Sequence, residues 1–380
     1  MNAPSRRVDD RLLDRAEGAF LGLAAGDAAS FPAMWHRALR LPHLRSLLWT
    51  FALDADARKV NKFPLPFTLA ADPALLDFGP TDDAEQAAIG AQVLLAVGAD
   101  PTVDDLFDAW WTRVEPQHAQ FWGSVADRSA VTNALLGLRA PTTGNDNPHH
   151  YDDSALARVL PVGIRWAGDP GRAAAVARRL AAITNAEVGI DGAAAFAAAV
   201  AVAVGGDPLT TAVDAARREI TTDSWLGRKL AVAERVLAET GSVFAAVPVW
   251  SDEVVNAEYN FGNVVAETLP LALLIARESS SLAEALGAAA LLPKQADTMP
   301  ALVGALVGAT LGASALPATW CAPVEELKAV CVPSTRGLRL RELAGALVAA
   351  RTDPAAAGAR PDPADVAPGP AATGEVRRGS

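Results

Sequence analysis

The sequence has little of several things, and each shortage excludes a class of protein. Of 380 residues only Cys321 and Cys331 are cysteines. Two thiols make no disulfide framework, and a thiolate metal centre needs more ligands. They read as ordinary thiols in a reducing cytoplasm. Aromatic residues reach only 6 %, and alternating β-branched runs are scarce, which disfavours a sheet protein. Basic residues are outnumbered, 33 against 44 acidic, for a net charge of −11. No basic stripe is present to meet a phosphate backbone, so a nucleic-acid partner is excluded. Arg6 and Arg7 are followed by Asp9, Asp10 and Arg11 where a signal peptide would carry its apolar stretch. One uncharged run, residues 299–316, reaches the 18-residue length of a membrane span. It is rich in Gly and Ala, opens on Pro300 and stands alone, so it reads as a buried central helix with no membrane partner.

Common catalytic signatures are missing too. No glycine-rich loop ends in Lys-Ser or Lys-Thr, no G-x-G-x-x-G opens a helix, and no G-x-S-x-G elbow occurs. The five histidines include no H-E-x-x-H pair, and His149-His150 sits in a Pro/Asn/Asp loop.

What is abundant is alanine within a 51 % hydrophobic composition. Alanine is the strongest helix former and lets helices pack closely. Apolar spacing predicts helices over residues 12–25, 84–97, 103–114, 128–138, 155–166, 170–183, 191–204, 209–220, 225–239, 264–277, 282–291, 298–313 and 338–350. The first is expected to end at Gly26-Asp27. Residues 31–79 are the least periodic and read as loops and short helices. Residues 1–10 read as a frayed N-terminus, 11–352 as one compact all-α domain, and 353–380, rich in Pro, Ala and Gly, as a disordered tail. Gly304, Gly308 and Gly312 stand four apart, a smooth stripe where another backbone can approach.

The remaining chemistry belongs to carboxylates. Thr81-Asp82-Asp83 opens a helix after Gly79-Pro80, and three adjacent oxygen side chains suit a hard cation such as magnesium. Helix capping explains the same residues equally well locally: Asp82 with Glu85 resembles a capping box, and Asp297 before Thr298 resembles a cap. Asp27, read at a helix C-terminus, would oppose the dipole, which hints at a purpose.

These segments, taken in order, resemble the ADP-ribosylglycohydrolases. Residues 18–28 (GAFLGLAAGDA) are similar to that family's G-x-x-x-G-x-A-x-G-D-A opening helix, and Thr81-Asp82-Asp83 to its first metal motif. Residues 158–163 (RVLPVG) resemble its R-V-x-P-x-G segment. Thr184-Asn185-Ala186 through Gly189, Asp191, Gly192 and Ala193 resembles its T-H-A-x-x-x-G-x-N-G-A stretch. Asp297-Thr298 with residues 303–309 resembles the end of its G-G-D-T-D-T motif and the small-residue helix after it. The resemblance implies a compact all-α fold and Mg²⁺-dependent hydrolysis of a ribosyl bond in a small-molecule or ribosylated substrate. It implies that Thr81, Asp82, Asp83 and Asp297 hold one ion, with Asp297 and Thr298 sharing in a second. Asp83, with Asp82, is the expected catalytic carboxylate.

The chain departs from the family pattern at specific places. Gln295 stands where the first Asp of D-T-D-T belongs and is by resemblance a further metal ligand, but its neutral amide oxygen is a poorer one for Mg²⁺ and Lys294 beside it brings positive charge, so the resemblance implies one intact Mg²⁺ position and a weakened second. Asn185 replaces a His, Asp191 an Asn, and Asp153 falls on another Asn. Glu85 stands where the family often has a smaller polar residue. Asp153, Asn185, Gly189, Asp191 and Glu258 are the expected substrate contacts, and with Asp152 they would make an acidic cleft unfriendly to a diphosphate. A small nucleoside or another glycoside is thereby a possible substrate. A second class of function stays open: a catalytically degenerate member that binds a nucleotide or a protein.

Overall fold

The computed structural model describes residues 4–39, 79–256, 262–292 and 294–352. Sixteen α-helices run in order through them: α1 Pro4–Leu39, α2 Asp82–Leu95, α3 Val103–Val114, α4 Val125–Leu135, α5 Thr142–Asn145, α6 Ser154–Arg165, α7 Pro170–Ala181 and α8 Val188–Gly205. They continue as α9 Leu209–Arg218, α10 Trp225–Thr240, α11 Val243–Glu253, α12 Val265–Glu278, α13 Leu282–Ala289, α14 Met299–Leu311, α15 Ala318–Val324 and α16 Leu340–Thr352. Among the described residues there is no strand, only an isolated bridge between Glu326 and Arg339. The fold is therefore all-α, as the composition predicts.

The most extensive helix pairing is α1 on α14. A Cβ placed on Gly18 would overlap the Gly308 carbonyl oxygen. One on Gly22 would overlap that of Gly304, and one on Gly26 that of Pro300. The descending partners make the pair antiparallel. The clash is reciprocal, since Gly304 and Gly308 face the Gly22 and Gly18 carbonyls. Two rows of small residues thus bring two backbones into direct contact, which any side chain would prevent. The third stripe member, Gly312, does another job. It takes φ +82° and ends α14, while Asp14 accepts the Ser314 N–H at 2.8 Å and its hydroxyl at 2.9 Å.

Helix α8 fills the centre, with residues 192–204 all buried, and packs against α6, α7 and α9. It alone among the described helices is long and apolar enough to cross a membrane, and 78 % of it is buried inside the protein.

Several boundaries differ from expectation. Helix α1 does not stop at Gly26-Asp27 but continues to Leu39, and it begins at Pro4 within the segment read as frayed. Gly26 is a contact to α14 rather than a terminator, so tertiary packing overrides the local stop signal. Residues 31–39, expected among loops and short helices, continue the long helix α1; 40–78, like the 353–380 tail, lie outside the described residues. Helix α11 has no counterpart in the periodicity, because Pro248 lies inside it; Trp250 nevertheless buries fully against α10 and donates its indole N–H to the Ala233 carbonyl at 3.0 Å.

The α1/α14 contact sets a clear expectation. Gly22→Ala forces the two backbones apart and lowers stability by roughly 3 kcal/mol, read as a reduced midpoint in urea. Gly287→Ala, on an exposed position of α13 with open space around it, raises stability by about 0.5–1 kcal/mol.

Candidate functional site

The close pairing of α1 and α14 brings Gly26 beside Pro300, and the neighbouring residues carry the carboxylates. Asp27 follows Gly26 on α1, and Asp297 lies in the turn before α14. Asp27 is 1 % exposed. Its carboxylate accepts the Thr81 N–H at 2.7 Å, the Ala84 N–H at 2.9 Å and the Thr81 hydroxyl. Those amides are unpaired donors at the start of α2, so Asp27 caps a helix that is remote in sequence. It does not sit at a helix C-terminus, and no dipole penalty arises.

This removes the local reading of the neighbouring acids. The N-cap of α2 is Thr81, not Asp82, and it makes no side-chain cap bond of its own. Glu85 is no capping-box partner either. It is fully buried, and its carboxylate accepts three successive backbone N–H groups, of Val330, Cys331 (2.9 Å) and Val332. Ala329 adopts φ +57° to present them. Glu85 thereby ties the 327–338 segment over the first turn of α2. At α14 the N-cap is Thr298, so Asp297 is not the cap.

Five carboxylates converge. The Asp82 carboxyl is pushed well above its ordinary value by burial, then by Asp297 and Asp27. Asp82 keeps partial solvent access by area, yet its carboxyl is densely surrounded, and the surroundings decide its desolvation. Asp83 is raised by burial, then by Asp82, Asp27, Asp153 and Asp297. Asp27 rises to about 7, chiefly through burial, although its hydrogen bonds to Thr81 and Ala84 oppose the shift. Asp153, at the start of α6, rises to about 7 through burial, opposed by the Thr268 hydroxyl that donates to its Oδ2 at 2.6 Å. The Thr298 hydroxyl reaches the other oxygen at 3.4 Å and accepts from the Asn263 amide at 3.2 Å. Crowded like charges in a dry setting favour either protonation or a cation. The donors are hard oxygens, which fits magnesium or calcium better than a soft metal. Among the described residues no three His, Cys, Asp or Glu side chains form a ready-made cage, so the cluster is a loose one.

The turn before α14 holds the remaining expected ligand. Gln295 is buried, and its Nε2 donates to Glu267 Oε2 at 2.7 Å. Lys294 pairs with the same oxygen at 2.9 Å and donates to the Asn256 carbonyl at 2.7 Å. Its charge is spent on Glu267. Neither Glu267 nor Asn263 stands out in the sequence.

The other expected substrate contacts are placed differently. Asn185 is buried, and its amide N–H groups hold the His150 and Asp152 carbonyls and the Asp152 carboxylate, while its oxygen accepts from Thr184 at 2.6 Å. It braces the loop before α6. Gly189 lies against the His150 carbonyl, where a Cβ would not fit. Asp191 pairs with Arg178, which also reaches Glu219, so its charge is compensated. Asp152 accepts from Ser154 and Asn185, and burial lifts it to about 6. Glu258 lies outside the described residues. The R-V-x-P and T-N-A stretches meet through Arg158, wholly buried, which donates to Asp127 at 2.7 Å, to Gln86 at 3.2 Å and to Thr184. Two solvent-open hollows of about 350 and 410 Å³ elsewhere on the surface share no residue with the carboxylate cluster.

Fold and site together define an all-helical protein that brings acids from the starts of three helices together with one from within α1. The chain belongs to the ADP-ribosylglycohydrolase family, whose pattern matches residues 8–357. That family is a group of metal-dependent hydrolases. Among solved structures the chain is similar to an ADP-ribosylglycohydrolase-related protein complex, at 21 % identity and a TM-score of 0.57, covering 90 % of this chain and 99 % of that one. At that identity the likeness concerns the fold alone. No curated protein matches the sequence.

Glu85→Ala leaves three amides without their acceptor and costs roughly 2–4 kcal/mol. Cys331, buried in this segment with its thiol pushed upward by burial and the neighbouring carboxylates, is expected to resist a thiol reagent in the wild type and to react readily in the variant.

Proposed function

We propose that the protein is a Mg²⁺-dependent hydrolase of a ribosyl glycosidic bond, in an ADP-ribosyl adduct or a related ribosyl or nucleoside compound. The observation that carries this reading is the convergence of Asp27, Asp82, Asp83, Asp153 and Asp297. Thr81, Asp82, Asp83, Asp297 and Thr298 are the residues that would hold the ion. When bound, Mg²⁺ polarises ribose hydroxyls and offsets charge at the anomeric carbon.

The protein's own groups would do the rest. Asp83, a carboxylate with Asp82, Asp27, Asp153 and Asp297 as neighbours, would take a proton from the attacking water, as a carboxylate does in other glycoside hydrolyses. Asp27 keeps the first turn of α2 in register by holding the Thr81 and Ala84 amides. Asp153, restrained by the Thr268 and Thr298 hydroxyls, would offer its remaining acceptor capacity to a sugar hydroxyl.

Replacing Asp82 and Asp83 together by Ala should abolish product release and flatten the rise in melting temperature that Mg²⁺ produces. A screen of ribosyl substrates with and without Mg²⁺ identifies the substrate; turnover unchanged in the double variant would refute the assignment. Gln295, in place of a charged ligand, favours a second reading as a binding module. Calorimetry showing that ADP-ribose binds with Mg²⁺ but is never cleaved would select it.

A further inference from the structure

Arg158, on α6, is a charged side chain buried completely, and its pairing with the equally buried Asp127 cancels the charge. A buried ion pair is by itself weak evidence of stabilisation, since well-packed apolar residues often serve as well. What sets this one apart is the use made of the rest of the guanidinium fork. Nη1 donates to Asp127 Oδ1 at 2.7 Å and to Gln86 Oε1 at 3.2 Å, and Nη2 donates to the Thr184 hydroxyl. One planar group thereby joins α2, α4, α6 and the turn before α8.

Both arms of the fork lead to the carboxylate cluster. Gln86 stands four residues after Asp82 and three after Asp83, one helical turn beneath both. On the other arm the Thr184 oxygen accepts from Arg158, so its single hydrogen goes to Asn185 Oδ1, at 2.6 Å. This fixes the Asn185 amide with its nitrogen toward the Asp152 carbonyl, to which it donates at 2.9 Å. That carbonyl belongs to the peptide joining Asp152 to Asp153. Asp153 in turn accepts the Thr268 hydroxyl at 2.6 Å and the Thr298 hydroxyl at 3.4 Å. An unbroken polar line therefore runs from Arg158 to Thr298, while the other arm grips the helix that carries Asp82 and Asp83.

We infer that Arg158 is a positioning residue of the cation site: its fork holds Asp82 and Asp83 on α2 in register with Asp153 and Thr298 across from them. This rests on the cation reading above and adds to it. A lysine at the same place keeps the charge opposite Asp127 but not the planar fork, whose donors meet three partners in fixed directions.

Mn²⁺ alone serves as the probe, its free concentration read by electron paramagnetic resonance during titration of the full chain. Arg158→Lys should weaken Mn²⁺ binding by about tenfold or more, the range seen when groups supporting metal ligands are removed. Gln86→Met and Thr184→Val break one arm each. Each should weaken binding in the wild type and add nothing further in the Arg158→Lys background. These two single variants also carry the test if the lysine variant does not fold. Arg165→Lys is the control. Arg165 is likewise buried and donates to the Leu94, Val97 and Gly98 carbonyls at the far end of α2. Its replacement should lower the urea midpoint and leave Mn²⁺ affinity unchanged. Wild-type affinity in both Gln86→Met and Thr184→Val overturns the positioning role while leaving the cation site standing. So does full additivity in the Arg158→Lys background, or an equal loss of affinity in Arg165→Lys, which marks a merely structural effect. Failure of the wild type to bind Mn²⁺ overturns the cation reading itself, and this inference with it.

Discussion

The contact between α1 and α14 governs the geometry of everything around it. Gly18, Gly22 and Gly26 on one helix face Gly308, Gly304 and Pro300 on the other, so the two backbones meet with no side chain between them. Each helical glycine costs about 0.5–1 kcal/mol in conformational freedom relative to alanine, and close packing of two long helices offsets it. The antiparallel register has a chemical result. At the end of the pair where Gly26 meets Pro300, Asp27 follows on one helix and Asp297 precedes on the other. Two acids far apart in the chain are delivered to one place by a row of missing side chains.

From that end the polar structure grows outward. Asp27 reaches across to the free amides of α2 and fixes its first turn, which carries Asp82 and Asp83. Glu85, one turn further on, holds the 330–332 amides and closes the far side. Asp153 and Thr298 bond one another, and Glu267 gathers Lys294 and Gln295 behind them. Each of these groups gives up hydration, and each is compensated by specific hydrogen bonds or, at Glu267, by an ammonium. The carboxylates facing the centre are compensated least: burial and mutual repulsion push them upward. That unbalanced charge distinguishes the centre from the Arg158–Asp127 pair, where buried charges cancel.

Helix positions were largely legible because apolar periodicity and alanine content act locally. Val103–Val114 carries its own capping box at Thr102 and Asp105, and its limits coincide with the expected ones. Helix α11 was not legible, since Pro248 breaks the local pattern and only the burial of Trp250 against α10 compensates. The run through Gly26 shows the opposite failure. A glycine followed by aspartate is a sound stop signal in isolation, and packing against α14 overrules it. Among candidate site residues, Asp82, Asp83, Asp153 and Asp297 are drawn together, whereas Asn185 and Asp191 are engaged by Asp152 and Arg178. Their sequence neighbourhoods are alike, and only their partners separate them.

The sequence by itself determined the helical class, the order of most helices, the small-residue stripe, and which acids open helices next to glycine, proline or threonine. These are properties of short segments, set by propensity and by spacing within a few turns. Tertiary structure alone decided that Asp27 caps α2, that Glu85 holds a loop some 245 residues away, that Lys294 is neutralised by Glu267, and that Gln295 turns its nitrogen to that carboxylate. A carboxylate's role depends on which donors and charges surround it once water is removed, and those neighbours come from distant parts of the chain.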